Sequence, residues 1–280
     1  MADQSSVNNF APRHISKTHD GIGTPILFIP GFLETNSIWG ALVLRTSPTL
    51  PDCYALSLPG HPPWIPKPDD NLTDEWIGQV ADVIADLVAT PVRLVGHSTG
   101  GLVALEIAQI RPDIVEDILL VGALNSGQVG GHKTITHSAA ELPWIGHYIL
   151  SAALNAWLSS EKSFRAGLAS AMADMASQDN LPLEMREHMR SACPRTLHAL
   201  LRWMSLRDGE KLSQVNCLVT NVIGTKDPVI APAHQMQTLG LVENVTGVLL
   251  PTGHLPFIER PDLFDPIFRG WVLMGVNSKS

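Results

Sequence analysis

The chain has 280 residues and a mass of 30.3 kDa, room for one large α/β domain or two small ones. Apolar residues make up 45 % and charged residues 16 %, a globular composition that excludes disordered, collagen-like and coiled-coil chains. A formal net charge of −8 argues against a general nucleic-acid binder or a protein of anionic membrane surfaces.

The amino-terminal dozen residues read as a loose tail, and Met1–Ser6 lacks the apolar core of a signal peptide. After it, short β-like runs alternate with helical stretches. Pro25–Pro30 is an apolar run closed by Gly31, and Cys53–Leu58 is a second, closed by Pro59-Gly60. Leu72–Leu87 has helical spacing through Trp76, Val80, Val83 and Leu87, with Thr73 as its N-cap. Pro91–Val95 is a third strand, and Gly101–Gln109 is helical. Ile118–Val121, Leu218–Gly224 and Val245–Leu250 complete six strands. Runs apolar on both faces belong to a parallel sheet covered by helices on each side, so the fold class is a doubly wound, mostly parallel α/β sheet.

The alternation lapses between Gly127 and Ser213. There Trp144, Tyr148, Leu154, Trp157, Phe164, Leu168 and Met172 recur at helical spacing with almost no strand signal. The segment is expected to be a helical cap, residues 127–213, inserted into a core domain made of residues 14–126 and 214–275. It carries Met172, Met175, Met185, Met189 and Met204, which suit either core filling or an adaptable pocket roof.

Gly96-His97-Ser98-Thr99-Gly100 is G-x-S-x-G between a β run and a helical run. A serine on a sharp strand-to-helix turn holds its hydroxyl out at the carboxyl end of the sheet, and its neighbours two positions away must lack bulk. Serine needs a base, and the base an orienting acid. Asp227 follows the fifth strand and His254 the sixth, so both fall on the edge where Ser98 is displayed. The catalytic candidates are therefore Ser98, Asp227 and His254, in the order associated with this turn.

With these pieces the chain resembles the α/β-hydrolase fold superfamily, and is similar to its capped serine-hydrolase branch of esterases, lactonases and C–C hydrolases. The resemblance covers residues 14 to 275. It rests on Ile29-Pro30-Gly31-Phe32, Leu58-Pro59-Gly60-His61, the serine motif, Gly224-Thr225-Lys226-Asp227 and Gly253-His254-Leu255-Pro256-Phe257-Ile258-Glu259-Arg260-Pro261. Two departures are visible: Pro30 stands where His is common, and Ser57 where Asp is common. The resemblance implies an oxyanion hole from the backbone N–H groups of Phe32 and Thr99. It also implies a pocket touched by Gly31, Phe32, Trp144, Trp157 and Leu255, with Trp64 a further candidate wall.

The expected activity is cofactor-independent hydrolysis of a carboxylic ester or lactone in a small, largely apolar substrate. A C–C bond hydrolase or a perhydrolase would use the same groups. A small-molecule receptor or a cofactor-free oxygenase on this fold are the readings from other classes. No metal site is expected: Cys53, Cys193 and Cys217 form no CxxC, and His132 and His137 are five apart rather than four. Gly127–Gly131 lacks the spacing of a nucleotide loop. No run of 18 apolar residues suggests a membrane span, and the odd, scattered cysteines suit a cytoplasmic protein. A small-molecule substrate is the expected partner, with no nucleic acid; nothing in the sequence sets the oligomeric state.

Overall fold

Apolar stretches that alternate between two faces build the centre of the molecule. In the computed structural model, which describes residues 14–65, 72, 75–87, 91–127, 142–174 and 180–277, seven strands form one sheet. In chain order these are β1 (Ile15–His19), β2 (Ile26–Ile29), β3 (Cys53–Leu56), β4 (Val92–His97), β5 (Val115–Val121), β6 (Leu218–Gly224) and β7 (Val245–Leu250). Their spatial order is β1-β3-β2-β4-β5-β6-β7. Only β1 is antiparallel, against β3; every other pairing is parallel.

Strand periodicity sorts the core into two layers. Ile26, Phe28, Val95, Leu119, Val121 and Val222 join one apolar cluster, and Leu27, Ile29, Leu94, Ile118 and Leu120 the other. Helices close both layers: α1 (Gly40–Thr46), α2 (Trp76–Leu87), α3 (Thr99–Ile110), α4 (Gly146–Leu158), α5 (Glu161–Ala169), α6 (Glu184–Met189), α7 (Pro194–Ser205), α8 (Pro232–Leu241), α9 (Pro256–Glu259) and α10 (Pro261–Asn277). None of the described helices is long and apolar enough to cross a membrane.

The six strands read from the sequence are present, with ends shifted by up to three residues. Strand β1 is an addition. Helix α2 starts at Trp76, and its expected cap Thr73 lies outside the described residues, as do Met175, His132 and His137. Between β5 and β6 the described residues hold α4 to α7 and no strand. Met185, Met189 and Met172 are buried there beside Phe164 and Leu168. The carboxyl ends of β2, β4, β6 and β7 all open on one edge, and that edge carries the candidate site.

Candidate active site

Helix α3 begins directly after β4, and the single residue between them is Ser98, with φ 52° and ψ −119°. A non-glycine residue in that region stores about 1–3 kcal/mol, so its surroundings must over-determine it. They do so sterically. A Cβ on Gly96 would lie 2.5 Å from the Gly100 carbonyl oxygen, and one on Gly100 would lie 2.1 Å from the Ile29 carbonyl oxygen. Hydrogen bonds complete the clamp: the Ser98 amide donates to the Val121 carbonyl, and the Leu124 and Gly101 amides donate to the Ser98 carbonyl. The nucleophile candidate is thus held 7 % exposed at the amino terminus of a 12-residue helix, whose dipole favours negative charge at that point.

Asp227 and His254 come from the loops after β6 and β7. Those loops are tied together by bonds from the Thr225 amide to Leu250 and from the Lys226 amide to Thr252. His254 Nδ1 lies 2.8 Å from Asp227 Oδ2. A carboxylate only accepts, so Nδ1 is the donor, and in the neutral ring this tautomer puts the basic lone pair on Nε2. Asp227 is saturated. Oδ1 accepts the Val229 and Ile230 amides at 2.8 and 2.9 Å, and Oδ2 also accepts Gln235 Nε2 at 2.8 Å.

His254 stands beside the serine turn. The rings of His97 and His254 are 4.6 Å apart, and His97 Nε2 bonds the His254 carbonyl at 2.9 Å. The same strand end serves both residues: Val121 accepts the Ser98 amide, and a Cβ on Gly122 would approach His254 Nδ1 to 3.3 Å. The Asp–His limb is closed. Among the described hydrogen bonds none joins the Ser98 hydroxyl to His254.

The loop after β2 approaches the serine from the other side. A Cβ on Gly31 would sit 3.0 Å from the Ser98 Cβ, so only glycine lets this backbone close in. Two buried side chains fasten the loop. Glu34 Oε2 accepts the Gly31 amide at 2.6 Å, and His61 Nε2 accepts the Leu33 amide at 2.9 Å. Leu33 is itself held at φ 64°. His61 Nδ1 faces the Pro59 carbonyl at 3.2 Å, so it donates there and the ring is neutral. Burial pushes the His61 pKa down to about 4, well below the ordinary imidazole value. The Phe32 amide lies between the two fastened ones. Neither it nor the Thr99 amide has an acceptor among the described hydrogen bonds.

Glu34 also meets His97 Nδ1 at 2.9 Å, and both side chains are buried. Burial alone would push the Glu34 carboxyl up. The His97 charge and the hydrogen bonds from His97 and Gly31 outweigh it and hold the carboxyl below its usual range. Burial likewise opposes a charged His97, and the Glu34 carboxylate overrides it, raising the imidazole.

The loop bearing His254 is anchored by Glu259, which ends α9. Its Oε2 accepts the Gly253 and Ala173 amides, and its Oε1 accepts the Leu255 amide, at 2.8 to 3.1 Å. The His254 amide donates to the Ala171 carbonyl at 2.8 Å.

The structure therefore draws Ser98, Asp227, His254, Gly31, Phe32, Thr99 and Leu255 to one sheet edge. The tryptophans have surroundings of their own. Trp144 is 85 % exposed. Trp157 packs on Phe164 and gives its indole N–H to the Phe164 carbonyl, inside the helical segment. Trp64 is a core residue, 4 % exposed, stacked on His14 and edge-on to Trp76. Large aromatics in an amphipathic helical stretch serve packing as readily as binding, which is why spacing alone could not place them. Thr99 has a second contact, its hydroxyl donating to the Met204 sulfur at 3.0 Å.

Glu34, His97, Gln235 and Glu259 were not singled out from the sequence. The Glu34 amide bonds the Gly31 carbonyl while the Glu34 side chain takes the Gly31 amide, a local turn that no sequence signature announces.

Comparison with known proteins agrees with this architecture. Residues 26–266 match a family model described as the Alpha/beta hydrolase family. An uncharacterised protein of Mycobacterium tuberculosis is 26 % identical over 259 residues, covering 87 % of this chain and 74 % of that protein. The enol-lactonase of Burkholderia xenovorans superposes with a TM-score of 0.68 at 17 % identity, covering 92 % of this chain and 96 % of that one. The meta-cleavage product hydrolase of Pseudomonas fluorescens gives 0.70 at 17 % identity, covering 95 % of each chain. At such identities the solved structures show a shared fold.

Proposed function

Because the chain belongs to the alpha/beta hydrolase family, we propose that it is a serine hydrolase that cleaves a carboxylic ester or lactone through an acyl-enzyme. The observation that carries this reading is the Asp227–His254 bond. It makes Nδ1 the donor to Asp227 and leaves Nε2 free to take a proton, next to a serine on a strained turn.

In the proposed reaction the Ser98 oxygen attacks the substrate carbonyl carbon while His254 Nε2 takes the hydroxyl proton. The carbonyl π electrons move to oxygen, and the Phe32 and Thr99 amides receive that oxyanion, each donor worth roughly 3 kcal/mol. As the tetrahedral adduct collapses, the alcohol oxygen leaves with the proton from His254. Water then gives a proton to His254 and attacks the acyl-serine; the serine leaves with that proton and the acid is released. Asp227 stays ionised throughout and stabilises the imidazolium.

The test uses the full chain. A fluorophosphonate is expected to label Ser98, mapped by peptide mass spectrometry. Ser98→Ala is expected to lower turnover of 4-nitrophenyl butyrate by several powers of ten, as triad losses do. Undiminished turnover in the pure variant would overturn the reading. A panel of esters, lactones and β-diketones separates ester from C–C cleavage.

A further inference from the structure

The residue before the serine in the motif is more than a spacer. His97 has both ring nitrogens engaged in a fully buried setting. Nε2 faces the His254 carbonyl at 2.9 Å, and a carbonyl only accepts, so Nε2 must be N–H. Nδ1 faces Glu34 Oε2 at 2.9 Å, and that same oxygen takes the Gly31 amide at 2.6 Å. One carboxylate oxygen thus collects a donor from the loop that carries Phe32 and a donor from the residue preceding Ser98. The far side of that imidazole holds the backbone of the base. The groups around the ring are Glu34, the His254 ring, Asp227 at longer range, and the edges of Trp39 and Phe257.

From this geometry we infer that Glu34 and His97 are positioning residues, a carboxylate–imidazolium strut that sets the distance between the oxyanion-binding loop and the catalytic histidine. The inference deepens the hydrolase reading above and rests on it. A buried carboxylate this close to the serine would repel a developing oxyanion if it stood alone. Pairing with His97 cancels that field, so the strut aligns the two halves of the site without opposing the charge that forms between them.

The strut is chemically exacting. In Glu34→Gln, an amide oxygen placed at the Oε2 position still accepts from Gly31 but leaves His97⁺ without a counter-charge. An amide nitrogen placed there suits a neutral His97 but meets the Gly31 N–H donor to donor. The glutamine oxygen can accept from both partners but cannot supply the charge that keeps His97 protonated.

The experiment is steady-state hydrolysis of 4-nitrophenyl butyrate by the wild type, Glu34→Gln, His97→Asn and the double variant, each checked by thermal melting. Displacing the oxyanion donor relative to the base is expected to lower kcat about 10²-fold in either single variant, with KM unchanged. The double variant is expected to fall no further than the singles, because both break the same strut. Ser98-dependent turnover with wild-type kcat in a folded Glu34→Gln would overturn the proposal. Failure of the hydrolase reading shows differently, as wild-type turnover that survives Ser98→Ala. If neither variant folds, ¹⁵N spectra of histidine-labelled wild type decide the matter. Both His97 nitrogens are expected to be protonated at neutral pH, with a strongly deshielded Nδ1 proton; a bare Nδ1 would overturn the proposal.

Discussion

Asp227→Asn removes one charge and almost no volume, and the surrounding donors dictate its effect. The carboxylate receives four donors: two amides at Oδ1, and His254 and Gln235 at Oδ2. An asparagine must place its NH₂ at one of these positions. The Val229 and Ile230 amides belong to the backbone and cannot reverse, so the amide oxygen stays with them. The NH₂ group then faces His254 and Gln235. Gln235 can turn its amide, because Oε1 has no partner among the described residues, but it then loses its bond to the Ile230 carbonyl. His254 can avoid a donor–donor clash only by moving its proton from Nδ1 to Nε2. That tautomer has no lone pair for the serine. A wrong tautomer costs about 10⁴ in kcat for such triads, or about 5.4 kcal/mol of barrier at 1.36 kcal/mol per decade. The assay is kcat for 4-nitrophenyl butyrate with wild-type and variant protein of equal melting temperature. A variant within tenfold of wild type would show that His254 does not depend on Asp227 for its protonation state.

Glu259→Gln keeps the shape of its side chain but weakens acceptance from the Gly253, Leu255 and Ala173 amides. A charged acceptor is worth about 1.5–3 kcal/mol per hydrogen bond, so a loss of about 2 kcal/mol by urea unfolding is expected, together with a lower kcat; unchanged stability would remove Glu259 as the anchor of the histidine loop. His61 supplies a pH signature. Its folded pKa lies near 4, below the ordinary 6.5, so the unfolded chain binds the extra proton first. The stability it contributes is complete above pH 6.5 and is lost as pH falls from there toward 4, by up to roughly 3 kcal/mol. Unfolding free energies measured between pH 7 and 4 are expected to fall less steeply in His61→Gln than in wild type, and parallel curves would refute the assignment.

The central strands were legible because they are buried on both faces and read as unbroken apolar runs bounded by glycine and proline. Strand β1 was not. Ile15-Ser16-Lys17-Thr18-His19 is an exposed edge, with only its end residues partly covered, and it pairs through backbone bonds that composition does not record. Helix α10 opens with Pro261 and carries Pro266 in its interior, which masks its periodicity. In the site, Ser98, Asp227 and His254 were readable because each follows a strand at the same sheet edge. The residues that hold them were not. Glu34 meets a ring 63 positions away, and Gln235 reaches Asp227 from a helix whose amphipathicity is weak. Their roles come from directional hydrogen bonds, which no one-dimensional pattern encodes.

The attachment of the histidine loop has a consequence for engineering. The carbonyl of Ala171 and the amide of Ala173 are two of its fixings, and both belong to the stretch between β5 and β6. A graft that exchanges this stretch for a foreign one therefore replaces part of the scaffold of His254. Chimeras joined after residue 173 preserve those two fixings, whereas junctions ahead of residue 171 hand them to the donor sequence.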